Sequence, residues 1–465
     1  MSLHQAVNLA FLVAAVCFVL GLHFMNSPAT ARRGNQVSAA GMVLAVAAAF
    51  ALVADGGAMT AGRWLVLLCG ALVGAGVGLW AARSVLMTAM PQLVSLFNAV
   101  GGGAATMIAL ADYARNPQQG SGTALATVLD VIIGSVTFAG SLVAAAKLQG
   151  YASQPIRFAG SRLANLALAV VALASAVAVV ARVESLPVLV VTLAAALGVG
   201  VLMVLPIGGA DMPVVISLLN AFTGTAVAMA GFVLSNTILT VAGALVGASG
   251  TILTKLMADA MNRSVPAIMV GGFGTGAAGI EASGAGGGSV RSIEVDDAAL
   301  QLAYAERVIV VPGYGLAAAQ AQHELRALAA VLEERGVDVS YAIHPVAGRM
   351  PGHMNVLLAE ANVPYDQLKE MEEVNPELPR ADVALVVGAN DVTNPAARRP
   401  GNAVSGMPIL DVDQAKSVIV IKRSMASGYA GMDNELYTDP RTAMLFSDAK
   451  KGLAALTAAT KALVG

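Results

Sequence analysis

The sequence predicts a bundle of about nine transmembrane helices followed by an α/β doubly wound parallel-sheet domain of Rossmann-like type. Three observations predict it. The 465 residues are 57% hydrophobic and only 12% charged, where soluble domains carry roughly a quarter charged residues. Apolar runs of membrane-spanning length, with at most one charged residue each, recur as far as Met257. The last third changes character and alternates β-branched runs with helical ones.

A helix needs roughly 20 apolar residues to cross the hydrocarbon core. Such runs fall at about 6–25, 36–54, 63–80, 85–111, 123–146, 163–181, 187–206, 213–231 and 236–257. The first lacks a basic n-region and a small-residue cleavage site, so it reads as a retained span rather than a signal peptide. An odd number of spans puts the ends on opposite sides. With the C-terminal part cytoplasmic, Arg32, Arg33, Arg83, Lys147, Arg157, Arg162, Lys255 and Arg263 face inward, against Arg63, Arg115 and Arg182 outward. The positive-inside rule therefore places the N-terminus outside.

Gly74, Gly76 and Gly78, Gly101 to Gly103, and Gly243, Gly247 and Gly250 suit close helix packing in lipid. Asn98, Asp130, Asn165, Asp211 and Asn220 are polar at membrane depth, where each is costly unless paired or hydrated. Interhelical hydrogen bonding explains a single Asn as well as transport does; Asp130, early in its run, is the candidate for conduction. Cys17 and Cys69 lie in apolar runs and read as small buried hydrophobes, with no metal site or disulfide in prospect. A net charge of -2 offers no field for nucleic acid, and that class is excluded.

The chain then divides into a membrane domain at 1–261, a Gly-rich linker at 262–290 and a soluble domain at 291–465. Gly274, Gly276 and Gly279 in the linker form a G-x-G-x-x-G, but no amphipathic helix opens after it to receive a phosphate. Strands are expected at 307–313, 338–346, 381–389 and 417–423, with a helix between the first two. Near-continuous apolar strands separated by helices mean a parallel sheet covered on both faces.

Gly313, Gly315 and Ala318 sit in the G-x-G-x-x-A order of a dinucleotide turn, strand before and helix after. The first glycine permits the turn, the second lets the backbone approach a pyrophosphate, and the small third residue seats the helix. An NAD site would place a carboxylate after the second strand; this strand ends at Ile343-His344-Pro345 instead. Lys422, Arg423 and Ser424 end a later strand and suit a dianionic 2'-phosphate, so NADP(H) fits better than NAD(H). Arg349, Met350, Pro351, Gly352 and His353 follow the second strand, and Asn390 and Asp391 follow the third, at the strand ends where open sheets bind ligands. Residues 427–437, with Tyr429, read as a glycine-hinged lid.

The segments GYGLAAAQAQHEL, HPVAGRMPGHMNVLLAEA, VGANDVTNPAA, KRSMASGYAG, IGGADMPVVISLLNAFTG and MPQLVSLFNAVGGGAA together resemble the beta subunit of proton-translocating NAD(P) transhydrogenase, over the whole chain. That resemblance implies NADP(H) in the soluble domain, in reverse orientation relative to ordinary Rossmann enzymes, and protons through the bundle. It implies an NAD(H)-binding alpha partner that exchanges a hydride across an interface, a dimer of alpha–beta units, and the bacterial inner membrane. By the same token Gly313, Tyr314, Gly315, Ala318, Met350, Pro351 and Gly352 hold the cofactor, Lys422, Arg423 and Ser424 its 2'-phosphate, and Tyr429 the lid. Asp391, with Asn390 and Arg349, serves catalysis and coupling, and Asn98, Asp130, Asp211 and Asn220 the proton path. Some relatives carry a membrane histidine at the position of Asn98. None of His4, His23, His323, His344 and His353 falls mid-span, so the partner is expected to supply it.

Two other readings stand beside this one. In the first, a transporter or channel carries a dinucleotide domain as a regulatory sensor. In the second, a membrane-anchored NADP-dependent reductase works without a proton gradient.

Overall fold

The computed structural model describes the chain apart from residues 1, 26, 58, 87–88, 152–155, 157, 182–184, 209–210, 262–263, 270–289, 349–351, 403, 427, 429, 431 and 464–465. Among the described residues nine helices are long and apolar enough to cross a membrane, and the chain is an integral membrane protein. They are α1 Leu3–Phe24, α2 Pro28–Asp55, α3 Ala61–Ser84, α4 Met90–Arg115, α5 Ser121–Leu148, α6 Ser161–Val180, α7 Leu186–Val204, α8 Met212–Val233 and α9 Thr237–Ala260. Each matches an apolar run in the sequence. In lipid a helix satisfies its backbone groups within itself, so an uncharged run of this length has little alternative.

The helices meet through small residues. Gly21 on α1 faces Gly34 and Ser38 on α2, Gly102 on α4 faces Gly134 and Thr137 on α5, and Gly140 on α5 faces Gly200 on α7. Gly224 on α8 likewise lies against Gly243 and Gly247 on α9, with no room for a Cβ. The expectation of tight packing fails for α3. It has no buried residue, and Gly70, Gly74, Gly76 and Gly78 have nothing within 4 Å of where a Cβ would stand. Cys69, expected to be buried, is exposed on this helix, and Cys17 is half-buried. The error came from judging single residues by an apolar neighbourhood. In a membrane span, apolar surroundings are compatible with a lipid-facing side as well as a packed one.

A short helix, α10 Val265–Met269, follows. The C-terminal domain then runs α11 Val295–Ala303, β1 Arg307–Pro312, α12 Tyr314–Ala318, α13 Gln322–Glu333, β2 Asp338–Ile343, α14 His353–Glu360, β3 Leu368–Glu370, α15 Met371–Val374, β4 Val383–Val387, β5 Ser417–Lys422, β6 Thr442–Phe446 and α16 Ala449–Ala462. All six strands are parallel, in the order β3-β2-β1-β4-β5-β6. The order reverses between β1 and β4, which is the switch point where such sheets bind ligands. Helices α11 and α13 both pack against α16. One core cluster joins Val311, Val386 and Val420 of the sheet to Val374, Leu378, Val412 and Tyr437. The four expected strands are β1, β2, β4 and β5. The short edge strands β3 and β6 were not expected.

The expected single helix after β1 is two helices, α12 of five residues and α13 of twelve. Gln320, at φ 49 between them, takes the left-handed backbone that a continuous helix excludes. The linker's decoy glycines, Gly274, Gly276 and Gly279, lie outside the described residues. The last residues before α11 join the sheet, with Ser292 pairing parallel to Met444 of β6.

Candidate functional site

The ends of β1 and β4 approach each other through glycine. The Gly315 amide donates to the Gly388 carbonyl at 2.9 Å, and the Gly313 amide to the Val387 carbonyl at 2.9 Å. A Cβ at Gly315 would stand 2.6 Å from the Gly388 Cα, and one at Gly313 would fall on the Ala389 backbone. Gly388 itself has φ +67, a left-handed conformation that side chains disfavour. Both glycines of the turn are therefore required by close main-chain approach at the switch point. Ala318 is not placed as expected. It is exposed at the end of α12, while Leu316 and Ala317 are the buried residues. Because α12 ends after a single turn, the Gly315–Gly388 contact does the close packing that Ala318 was expected to provide. Tyr314 opens α12 and is half-buried.

Asn390 and Asp391 follow β4 and meet the 428–437 segment. The Asp391 carboxylate accepts from the Ala430 amide at 3.0 Å. A Cβ at Gly428 would lie 2.5 Å from Asp391 Oδ1, so glycine is needed where this segment crosses the carboxylate. The Tyr437 hydroxyl donates to Asn390 Oδ1 at 3.0 Å, and Asn434 Nδ2 donates to the Asn390 carbonyl at 2.9 Å. The segment expected to be a lid is thus tied to the loop expected to face the nicotinamide. Gly388, Asn434 and Tyr437 were missed by the sequence reading. Gly388 carried a signal, since it is a glycine directly after a buried strand.

The basic triplet does not act as one group here. Lys422 Nζ turns back to donate to the Ala426 carbonyl at 2.5 Å and lies 4.8 Å from the centroid of the Tyr437 ring. Burial lowers its pKa, opposed by the carboxylates of Asp391 and Asp433. Arg423 and Ser424 are exposed. Arg423 makes no ion pair among the described residues and is free to meet an anion. Gly352, at φ +67, precedes α14, and His353 is fully buried with its ring against Gly348. Arg349, Met350, Pro351 and Tyr429 lie outside the described residues.

In the bundle, Asn98 is buried, and its Nδ2 donates to the Ile216 carbonyl of α8 at 3.2 Å, one helical turn from Asn220. Asn220 is half-buried. Asp130 is fully buried in α5, and neither carboxylate oxygen has a hydrogen-bond partner among the described residues. Asp211, which precedes α8, is buried. The structure therefore brings Asn98 to the helix of Asn220, and sets Asp130 elsewhere along α4 and α5. Asn165 Oδ1 is also buried without a partner among the described residues. Lys147, read from sequence only as a topology marker, is buried and donates to the Leu205 and Ile207 carbonyls at 2.6 and 2.8 Å. It caps the C-terminal end of α7, whose last carbonyls have no helical partner.

A family described as NAD(P) transhydrogenase beta subunit matches residues 7–459. Two relatives from Rhodospirillum rubrum, both named NAD(P) transhydrogenase subunit beta, are 47% identical over 483 residues. The alignment covers 96% of this chain and 97% of each relative.

Proposed function

The chain belongs to the NAD(P) transhydrogenase beta subunit family, and from that premise we propose that its soluble domain binds NADP(H) while its helix bundle conducts protons. In this reading an NAD(H)-binding alpha subunit docks on the soluble domain, and hydride transfer between the two cofactors is coupled to proton movement. The pairs assemble as a dimer in the bacterial inner membrane, with the N-terminus outside and the soluble domain in the cytoplasm.

The observation that carries the cofactor assignment is the glycine cradle at the β1–β4 switch point, with cationic Arg423 at the end of the neighbouring strand β5. Side chains at Gly313, Gly315 or Gly388 would collide with the facing main chain and part the two strand ends at the switch point, where such sheets receive a pyrophosphate. Arg423 and Ser424 supply the fork and hydroxyl for a 2'-phosphate, and Lys422 joins them once it leaves the Ala426 carbonyl. Tyr314, Ala318, Met350, Pro351, Gly352 and Tyr429 complete the binding surface. Among the described residues, the glycine turn with Arg423 and Ser424 fits the group.

When bound, NADP(H) supplies a nicotinamide ring that gives or takes a hydride and changes by one positive charge. Asn390 and Asp391 face that ring, and Arg349 orients it. Asp391 Oδ2 is held by the Ala430 amide, so any change in the charge this carboxylate meets is passed to the lid backbone. Asn434 and Tyr437 hold Asn390 from the far end of the same segment. The lid and the Asp391 loop therefore move as one. Reciprocity requires that the proton state of the bundle alter cofactor affinity in return, through Asp211, Asn98, Asn220 and Asp130.

The test is NADP+ reduction by NADH in vesicles holding the full complex, with and without an imposed proton gradient. The proposal expects the gradient to accelerate the reaction, and hydride transfer in the other direction to move protons. A rate indifferent to the gradient leaves a reductase, and a chain that moves solute without hydride exchange is a transporter with a sensor domain. Asp391→Asn is expected to abolish coupled turnover while NADP(H) binding survives. Normal coupling in that variant removes Asp391 from the mechanism.

A further inference from the structure

The fully buried carboxylate of Asp130 has neither a counter-charge nor a hydrogen bond among the described residues. A buried acid in that condition persists only if it is supplied with a proton or with water. The supply route is marked at one end of α5. On the same face of α5, one turn nearer the loop that joins α4 to α5, stands Thr127, also fully buried. Its hydroxyl donates to Gln119 Oε1 at 2.8 Å, with the Thr123 carbonyl as a second acceptor at 3.0 Å. Gln119 Nε2 in turn donates to Asp112 Oδ2 at 2.7 Å. Asp112 and Gln119 are half-buried, so this line runs from the bundle's end to its interior. Three residues of helix rise by about 4.5 Å, the span that one bridging water fills between Thr127 and Asp130.

We propose that Asp112, Gln119 and Thr127 form the mouth of the proton path that serves Asp130, with Gln119 as its latch. The inference rests on the reading that this bundle conducts protons. Asp112 exchanges protons with the aqueous side. Gln119 bridges Asp112 and Thr127 and closes the polar approach. When its two bonds release, water enters beside Thr127. A protonated Asp112 carboxyl gives its proton to that water, and the water gives one to the Thr127 hydroxyl, which both donates and accepts. The hydroxyl's own proton passes through the bridging water to an Asp130 oxygen. No charge is left on Thr127. Deeper along the same helix pair, the Thr106 hydroxyl is buried beside Gly134 without a partner among the described residues, and Ser95 donates to the Ser141 carbonyl at 2.8 Å. These groups continue the polar line toward Asn98. In the topology given above, the mouth opens on the outer side.

The experiment uses the full complex in vesicles, with Cys17 and Cys69 replaced by serine and Thr127→Cys introduced. A small water-soluble thiol reagent is added to one side or the other. Labelling is expected from the α4–α5 loop side alone, on the order of tenfold faster when Gln119→Ala is added, as the loss of the remaining latch bond, to the Asp112 carboxylate, requires. Labelled complex is expected to lose proton uptake. Labelling that is equally fast with and without Gln119, or labelled complex that still pumps at full rate, overturns the proposal. A second readout leaves Thr127 in place. The infrared carbonyl band of protonated Asp130, identified by its loss in Asp130→Asn, should exchange into D2O on the order of tenfold faster in Gln119→Ala. Equal exchange rates overturn the latch. Parent vesicles that exchange hydride without moving protons overturn the conduction reading itself, whereas a pumping parent with an unchanged Gln119→Ala overturns the mouth alone.

Discussion

Gly388→Ala separates the strain of a left-handed backbone from the close approach that shapes the nucleotide turn. Gly388 has φ +67, and a Cβ there would stand 2.7 Å from both the Gly315 carbonyl carbon and the Leu316 nitrogen. The conformation alone costs an L residue about 1–2 kcal/mol. Overlap with main chain, which cannot rotate aside, adds about 1–3 kcal/mol. Gly336 is the internal control, since it has φ +85 and nothing within 4 Å. Gly336→Ala therefore bears only the first cost, lowers the soluble domain's calorimetric transition by about 2–8 °C, and leaves NADPH affinity as it was. Gly388→Ala bears both. A domain stability of about 5–15 kcal/mol survives that sum, so the domain folds but relieves the overlap by opening the turn at Gly315. The extra 1–3 kcal/mol then falls on the site, which corresponds to about 5- to 150-fold weaker NADPH binding by titration calorimetry. Equal stability losses in the two variants with parental NADPH affinity in both would refute the reasoning.

Three more outcomes are expected. Arg423→Ala should weaken NADP(H) by about 1.5–3 kcal/mol, the worth of a charge-assisted contact, and NAD(H) little; equal loss for both removes Arg423 from 2'-phosphate recognition. His344 is buried, its Nε2 2.8 Å from the Pro408 carbonyl, and burial lowers its pKa below the ordinary 6.5. Between the two pKa values the unfolded chain holds the extra proton, so stability is complete above about pH 6.5 and falls on acidification, by at most about 1.4 kcal/mol per pH unit. His344→Gln should flatten that acid limb in thermal melts, and an unaltered slope would acquit His344. Finally, Ser2→Cys and Arg291→Cys, in a background without Cys17 and Cys69, should label from opposite sides of the membrane; labelling from the same side contradicts an odd number of spans.

The nine spans were legible because lipid leaves an apolar run of this length one economical structure. What each span touches was not. The Gly-rich α3 carries the same kind of sequence as α4, yet α4 is packed and α3 is bare. In the soluble domain β1, β2, β4 and β5 announced themselves as buried β-branched runs. Leu368–Glu370 did not, because three residues with two charges at a sheet edge look like loop. Thr442–Phe446, five residues at the other edge, was not expected either. Gly313 and Gly315 were legible through local spacing, whereas Gly388 derives its role from a contact distant in sequence. Gln119 and Thr127 escaped for a related reason. Each is an unremarkable polar residue, and only the turn of chain that brings Asp112 and Gln119 together gives them a direction.

The way the linker enters the soluble domain has a mechanical consequence. Met444 of β6 donates to the Arg291 carbonyl at 2.7 Å and accepts from the Ile293 amide at 3.0 Å. The incoming chain thus lies alongside the outer strand and covers an edge that would otherwise be open to another strand. A pull arriving through residue 290 loads those two bonds side by side, as shear, instead of unzipping them singly. Shear on β6 passes into β5 through a register that ends at the Lys422–Phe446 pair. Traction on the tether is therefore delivered to the strand whose tip carries Lys422 and Arg423.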